Sequence, residues 1–108
     1  MKNCMIIETR DLIETRDAEW TGALAGSMAR SASFVTMFLT ENGVLAARAA
    51  YDAPMVRQLM KRGVKVFADR FALAERGIAD RDLADGIEPA DVALIAEHMC
   101  RGDMMLWR

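Results

Sequence analysis

The segment from residue 64 to 80, VKVFADRFALAERGIAD, ends an apolar run on two charged residues. Asp69 and Arg70 follow VKVFA, which predicts a strand over residues 64–68. Ligands of open parallel sheets bind beyond the carboxyl ends of the strands, where a carboxylate can hydrogen-bond a ligand or act as a general base. Aspartate is also a preferred N-cap residue, and capping the helix that follows is the simpler role for Asp69.

Polar residues also follow the two preceding predicted strands. Arg10 and Asp11 come after the first, and Asn42 and Gly43 come after the second. Because the carboxyl ends of parallel strands meet at one edge of a sheet, we expect these residues to form one polar rim. The candidate ligand-binding residues of this rim are Arg10, Asp11, Asn42, Gly43, Asp69 and Arg70. Simpler roles stay open, since Arg10 and Asp11 suit a solvated ion pair and Asn42-Gly43 suits a turn.

The two cysteines and the single histidine do not form a recognisable reactive group. Cys4 lies inside a strand pattern, where a free cysteine behaves as a small buried hydrophobe. Cys100 lies at the end of a predicted helix, where the helix dipole disfavours a thiolate. His98 is predicted to be a surface residue, and its i, i+2 spacing from Cys100 places the two on different helix faces. We therefore expect no catalytic residue, no metal site and no cofactor.

Strand and helix patterns alternate along the chain. The predicted strands are residues 3–8, 33–40, 64–68 and 103–108, with a short extended piece around Gly86 and Ile87. The predicted helices are residues 17–30, 54–62, 70–76 and 89–101. In the last of these, Pro89 opens the helix and Val92, Ile95, Ala96 and Met99 form its apolar stripe. This alternation predicts an α/β fold for residues 1–108: one domain with a mainly parallel four- to five-stranded sheet and helices on both faces.

Charge and hydropathy exclude several classes of partner. The formal net charge is -2 with acidic and basic residues interleaved, so no basic face for nucleic acid is indicated. The opening MKNCMIIETRD has too short an apolar run for a secretory signal, and no stretch is long enough to span a bilayer. We expect a cytoplasmic protein with neither a nucleic-acid nor a membrane partner.

Five segments, taken in order and spacing, resemble the DsrE-like family, the group of DsrE/DsrF/DsrH and TusBCD proteins. They are IIETRD before a helix that contains Trp20, VTMFLTENGVLAAR, GVKVFADRFALAERGI, LADGIEP and the terminal GDMMLW. The resemblance covers nearly the whole chain. It implies a small α/β domain that forms trimers or hexamers, and a place among proteins that pass sulfur to one another as a cysteine persulfide.

The resemblance also implies where the family's active cysteine falls on this chain. In sulfur-carrying members that cysteine lies just after the third strand, a few residues before an Arg-Gly pair. When that pair is matched to Arg76-Gly77, the cysteine position falls at or next to Asp69. A carboxylate cannot carry a sulfane sulfur, and Cys100 does not match the motif.

Three functions remain open at this point. The first is an accessory, non-carrier member of an intracellular sulfur-relay or sulfur-oxidation system, which implies other relay proteins as partners. The second is a small-molecule-binding module with a polar pocket at the strand ends. The third and weakest is an enzyme that uses Asp69 as a general base. In each case we expect a homo-oligomer that buries apolar surface near Trp107 and along VLAARAAY, residues 44–51.

Overall fold

Strands and helices alternate along the chain, and every strand points the same way. The computed structural model describes residues 3–12, 15–31 and 34–108, with only the backbone described for residues 15–18 and Trp20. The strands are β1 (Cys4–Glu8), β2 (Val35–Leu39), β3 (Lys65–Asp69), β4 (Ile87–Ala90) and β5 (Met104–Trp107). The α-helices are α1 (Thr15–Ser31), α2 (Pro54–Lys61), α3 (Arg70–Glu75) and α4 (Ala93–Cys100), and a 3-10 helix spans Glu41–Ala47.

The five strands form one parallel sheet in the order β4-β3-β2-β1-β5. Each pairing is parallel, and the register aligns Glu8 with Leu39, Leu39 with Ala68, and Asp69 with Ala90. The carboxyl ends of the strands therefore lie at one edge, as the alternation of elements predicts. The predicted α/β fold with a parallel sheet is confirmed.

The two faces of the sheet are covered to different depths. On one face, Ile6, Met37 and Val66 join a large core that also takes in buried residues of α1, α2 and α3. On the other face, Met5, Ile7 and Phe38 form a small cluster packed against α4. Helices do cover both faces, but α4 is only eight residues long. Several large apolar side chains stay exposed, among them Phe34, Val92, Met99, Met104 and Trp107.

The structure corrects the last predicted helix. Pro89 does not open that helix but lies within β4, paired with Ala68, and α4 begins at Ala93. Proline has no backbone N–H to donate to a neighbouring strand, so within sheets it is found at edge strands, and β4 is such a strand. The short extended piece predicted around Gly86 and Ile87 is the start of this strand.

The face that α4 turns to the sheet also differs from the prediction. Val92 and Met99 of the predicted stripe are exposed, whereas His98, predicted to be a surface residue, is buried. Leu94 and Ile95 pack on the sheet with it, at the i+3 and i+4 spacing of a helix face. The prediction failed because it treated histidine as polar, although a hydrogen-bonded imidazole can be buried at little cost.

No helix in the described part of the chain combines the length and the apolar character that crossing a bilayer requires.

Candidate functional site at the carboxyl ends of the strands

Asp69, the last residue of β3, is a buried helix cap. Its side chain is 4% exposed, and Oδ1 accepts a 3.1 Å hydrogen bond from the backbone N–H of Phe71 in the first turn of α3. Oδ2 accepts a 2.7 Å hydrogen bond from the Thr40 hydroxyl. The expected capping role is therefore present. Both carboxylate oxygens are already engaged within the protein, so the geometry gives little support to a general base at this position.

Glu8 is a second buried carboxylate at the same edge, at the end of β1. Its side chain is fully buried, and Oε1 accepts a 2.7 Å hydrogen bond from the Thr21 hydroxyl of α1. Oε2 accepts a 3.2 Å hydrogen bond from the backbone N–H of Arg10, and the Arg108 guanidinium lies 3.8 Å from Oε1. These contacts tie α1 and the end of β5 to the end of β1.

Gly43 brings the first two strand-end loops into contact. A Cβ atom built at Gly43 would lie 2.3 Å from the Glu8 carbonyl oxygen and 3.5 Å from that of Arg10. The Gly43 N–H donates to the Thr40 carbonyl at 2.8 Å, and the Thr40 N–H donates to the Glu8 carbonyl at 3.0 Å. Only a residue without a side chain allows this approach of backbone to backbone. Besides its place in a turn, Gly43 therefore allows the loop after β2 to pack directly on the backbone at the end of β1.

The remaining rim candidates are spread along the edge. Asn42 is exposed and accepts a 3.0 Å hydrogen bond from the Arg76 guanidinium after α3. Arg10 is exposed and Asp11 is half-buried. Arg70 points the other way, with its guanidinium 3.8 Å from the Asp91 carboxylate beyond β4. The structure therefore places all six candidates on one edge without gathering their side chains around one point.

Both cysteines lie far from this edge in the fold. Cys4 is the first residue of β1, so it belongs to the amino ends of the strands, and it is buried as predicted. Burial raises the pKa of the Cys4 thiol above its ordinary value of 9.0, and the negative charge of Asp103 adds to the effect. Cys100 is exposed at the end of α4, just before the turn into β5.

A polar cluster occupies the amino edge near Cys4. The buried His98 imidazole lies 2.8 Å from the Asp103 carboxylate, and the Arg101 guanidinium donates to the same carboxylate at 2.9 Å. Burial alone would raise the pKa of Asp103, but the hydrogen bonds and positive charges of Arg101 and His98 hold it below its ordinary value of 3.8. Within the described residues, no group of three or more His, Cys, Asp or Glu side chains is arranged to hold a metal ion.

Sequence reasoning missed four residues that organise the strand-end edge: Glu8, Thr21, Thr40 and Arg108. Glu8 had a readable signal, because the alternation of a strand puts it on the same face as Ile6, which is the core face. The two threonines that donate to these carboxylates had no such signal in the sequence. Thr21 is 13 residues from Glu8, and Thr40 is 29 residues from Asp69.

Several known proteins share this architecture. The model of the DsrE/DsrF-like family matches residues 9–107. The ychN protein from E. coli has a crystal structure that superposes with a TM-score of 0.86 at 20% identity, covering 100% of each chain. A conserved protein of unknown function from Bacteroides thetaiotaomicron gives 0.76 at 16% identity, covering 99% of this chain and 95% of that one.

A protein of unknown function from Methanobacterium thermoautotrophicum gives a TM-score of 0.74 at 18% identity, covering 98% of this chain and 96% of that one. At these identities the three structures support the fold alone. The comparison with curated proteins gives no significant match.

Proposed function

Because this chain belongs to the DsrE/DsrF-like family, we propose that it is an accessory, non-carrier member of a cytoplasmic sulfur-relay or sulfur-oxidation system. One observation carries the proposal: the residue at the end of β3 is Asp69, a buried cap whose two oxygens hold Phe71 N–H and the Thr40 hydroxyl. The family resemblance puts the sulfur-carrying thiol at or next to this position. A carboxylate has no sulfur atom with which to form a persulfide.

The placement of the two thiols supports the same conclusion. Cys4 is buried within β1, and its raised pKa keeps it in the unreactive thiol form. Cys100 is exposed, but it lies at the end of α4 and not beyond the carboxyl ends of the strands. Neither thiol can meet a partner that docks at the rim. The rim instead offers a relay partner the exposed Phe71 ring and the Arg70 guanidinium, which lies near Asp91.

A homo-oligomer, trimeric or hexameric, is part of the proposal. The face of the sheet covered by α4 exposes Phe34, Val92 and Met99, and Trp107 on the edge strand β5 is 67% exposed. Met104, on the opposite face of β5, is exposed as well. An apolar surface of this kind is typical of a protein interface. Of VLAARAAY, the first half packs into the subunit's own core, where Val44, Ala46 and Ala47 are buried. Only residues 49–51 are exposed for a second copy.

Light scattering tests the oligomer. We expect a mass of three or six chains for the wild type and a shift to smaller species in Trp107→Glu. Phe71→Ser removes an equally exposed ring that follows β3, three strands away from β5, and serves as the matched control. A wild-type protein that is a strict monomer at micromolar concentration would contradict this part of the proposal.

Intact-mass analysis tests the non-carrier role. The protein is incubated with a persulfide-loaded sulfurtransferase, and an acceptor thiolate would attack the terminal sulfur while the donor's thiolate leaves. We expect no stable one-sulfur gain in the wild type, Cys4→Ser or Cys100→Ser. A gain in the wild type that disappears in one of the two variants would establish that cysteine as a carrier and overturn the proposal.

The exposed polar groups of the rim favour a second function, the binding of a small anionic molecule. Arg10 and Arg70 are exposed at the strand-end edge, and Asn42 lies between them along the sheet. A ligand held there would raise the melting temperature in proportion to its occupancy. We expect such stabilisation to fall in Arg10→Gln and Arg70→Gln, and an unchanged response in both would exclude the rim as its site.

A further inference from the structure

A groove between α1 and α2 has the size and lining of a small-molecule site. Its volume is about 600 Å³, within the range of roughly 300–1,000 Å³ that is usual for ligand pockets. It lies on the core face of the sheet, opposite the α4 face proposed for oligomer contacts, and it shares Tyr51 with the exposed end of VLAARAAY. Its lining is mainly apolar and includes Leu12, Tyr51, Met55 and Leu59.

Small residues on both helices keep the groove open. Gly22 and Ala23 form its wall on α1, and Ala53 and Pro54 form its wall at the start of α2. A Cβ atom at Gly22 would lie 2.8 Å from Met55 Cγ, so the two helices touch there and close the floor. Ala23 is exposed at the opening. A larger side chain at Ala23 would therefore fill the groove without entering the core.

Two opposite charges stand at the ends of this apolar groove. Glu19 lines it on α1, and Arg62 lines it just after the end of α2. The Arg62 guanidinium crosses α1 at Gly26, because a Cβ atom at Gly26 would lie 2.8 Å from its Nη1. Seven residues of α-helix separate Glu19 from Gly26, which places the charges about 10 Å apart.

Within the described part of the chain, the side chains of Glu19 and Arg62 make no hydrogen bond or ion pair. Gln58, one helical turn before Arg62, also lines the groove and adds an amide. Charged groups that border an apolar groove fix the orientation of a ligand more than they add to its affinity.

We propose that this groove binds an elongated amphipathic molecule with an apolar body, a carboxylate at the Arg62 end and an amine at the Glu19 end. Charge complementarity argues for this ligand class, because a guanidinium prefers a carboxylate and a carboxylate prefers an ammonium group. The apolar lining accepts an aliphatic or aromatic body. The site is independent of the sulfur-relay role, since it shares no residue with the Asp69 cap.

Calorimetric titration of the full chain with three matched probes tests the site. The probes are aminooctanoate, octanoate and octylamine, which share an aliphatic body and differ in their end groups. We expect aminooctanoate to bind most tightly. Arg62→Gln should weaken aminooctanoate and octanoate about tenfold and leave octylamine unchanged, whereas Glu19→Gln should weaken aminooctanoate and octylamine and leave octanoate unchanged.

Two further variants serve as controls. Arg57→Gln removes an exposed arginine of α2 that lies outside the groove and pairs with Asp52, and it should bind all three probes normally. Ala23→Trp should abolish binding of all three while the melting temperature stays near that of the wild type. The proposal is overturned if no probe binds the wild type, or if Ala23→Trp and the charge variants bind as the wild type does. It is also overturned if Ala23→Trp dissociates the oligomer, because a second copy would then cover the groove.

Discussion

The Thr40 hydroxyl donates a 2.7 Å hydrogen bond to Asp69 Oδ2, which joins the ends of two neighbouring strands 29 residues apart in the chain. Through Oδ1 the same carboxylate caps α3. One buried side chain therefore sets the end of β3, the start of α3 and the position of the residue after β2. In this protein Asp69, at the end of β3, has a structural role.

Removal of the Asp69 carboxylate should be costly. We expect Asp69→Ala to lower the free energy of unfolding by about 1–3 kcal/mol, because the cap is lost and the Thr40 hydroxyl loses its acceptor. Asp69→Asn should cost less than about 1 kcal/mol, since an amide can still accept from Phe71 N–H. Denaturant titration measures both, with the exposed Asp85→Ala as the control. Equal stability of Asp69→Ala and Asp85→Ala would contradict the capping role.

Substitution of Gly43 tests the contact between strand-end loops. A methyl group at Gly43 would lie 2.3 Å from the Glu8 carbonyl oxygen, which is backbone and cannot turn aside. We expect Gly43→Ala to lower the free energy of unfolding by about 1–3 kcal/mol. Gly22→Ala is the matched comparison, because its methyl group would meet the flexible Met55 side chain in a helix that favours alanine. The free energy of unfolding of Gly22→Ala should lie within about 1 kcal/mol of the wild-type value. A loss of stability as large as that of Gly43→Ala would refute the steric argument.

The two thiols should differ sharply in reactivity. Cys4 is buried, and burial together with the charge of Asp103 raises its pKa above 9.0, so little thiolate forms near pH 8. Cys100 is exposed. We expect one thiol per native chain to react rapidly with an aromatic disulfide reagent. Cys100→Ser should abolish the rapid phase and Cys4→Ser should keep it, whereas two rapid thiols would show that Cys4 is accessible.

The pH dependence of stability should report the Asp103 cluster. The pKa of Asp103 is lower in the folded protein than its ordinary value of 3.8, chiefly because Arg101 and His98 outweigh the effect of burial. A carboxyl whose pKa is lower in the folded state stabilises the protein at pH values above its ordinary pKa. That stability is lost as the pH falls through the folded-state pKa. Asp103→Asn should therefore lower stability at pH 7 and flatten the acid limb of the stability curve.

Asp85→Asn provides the control for this experiment, since Asp85 is exposed. Denaturant titrations at several pH values between neutral and strongly acidic would give both curves. An acid limb that is as steep in Asp103→Asn as in the wild type would show that other carboxylates govern acid unfolding.

Local sequence pattern was sufficient to predict most of the fold. Continuous apolar runs predicted β1, β2 and β3, and the proline-to-glycine boundaries predicted α2. The pattern failed at Pro89 and His98, because both depend on partners outside their own segment. Pro89 is tolerated only because β4 lies at the sheet edge, and His98 is buried because Asp103 accepts its hydrogen bond.

The location of the six candidate residues at one sheet edge was predictable, but their contacts were not. The rule for parallel sheets indicated that they share an edge, and N-cap preference indicated the capping role of Asp69. The spacing of residues along the chain could not show that Thr40 and Glu8 meet their partners across the sheet. Those contacts depend on strand order, and strand order is set by the packing of the whole domain.

The most direct test of the proposed non-carrier role is a thiol placed at the end of β3. Wild type, Asp69→Cys and Asp69→Ser are incubated with a persulfide-loaded sulfurtransferase and compared by intact mass. We predict a one-sulfur gain in Asp69→Cys alone, because the family resemblance puts the sulfur-carrying thiol at or next to this position. A thiol there would lie at the start of α3, where a helix N-terminus favours the thiolate, whereas Cys4 lies inside a strand. A stable one-sulfur gain of equal extent in the wild type and in Asp69→Ser would contradict the account, because another residue of the chain would then carry sulfur.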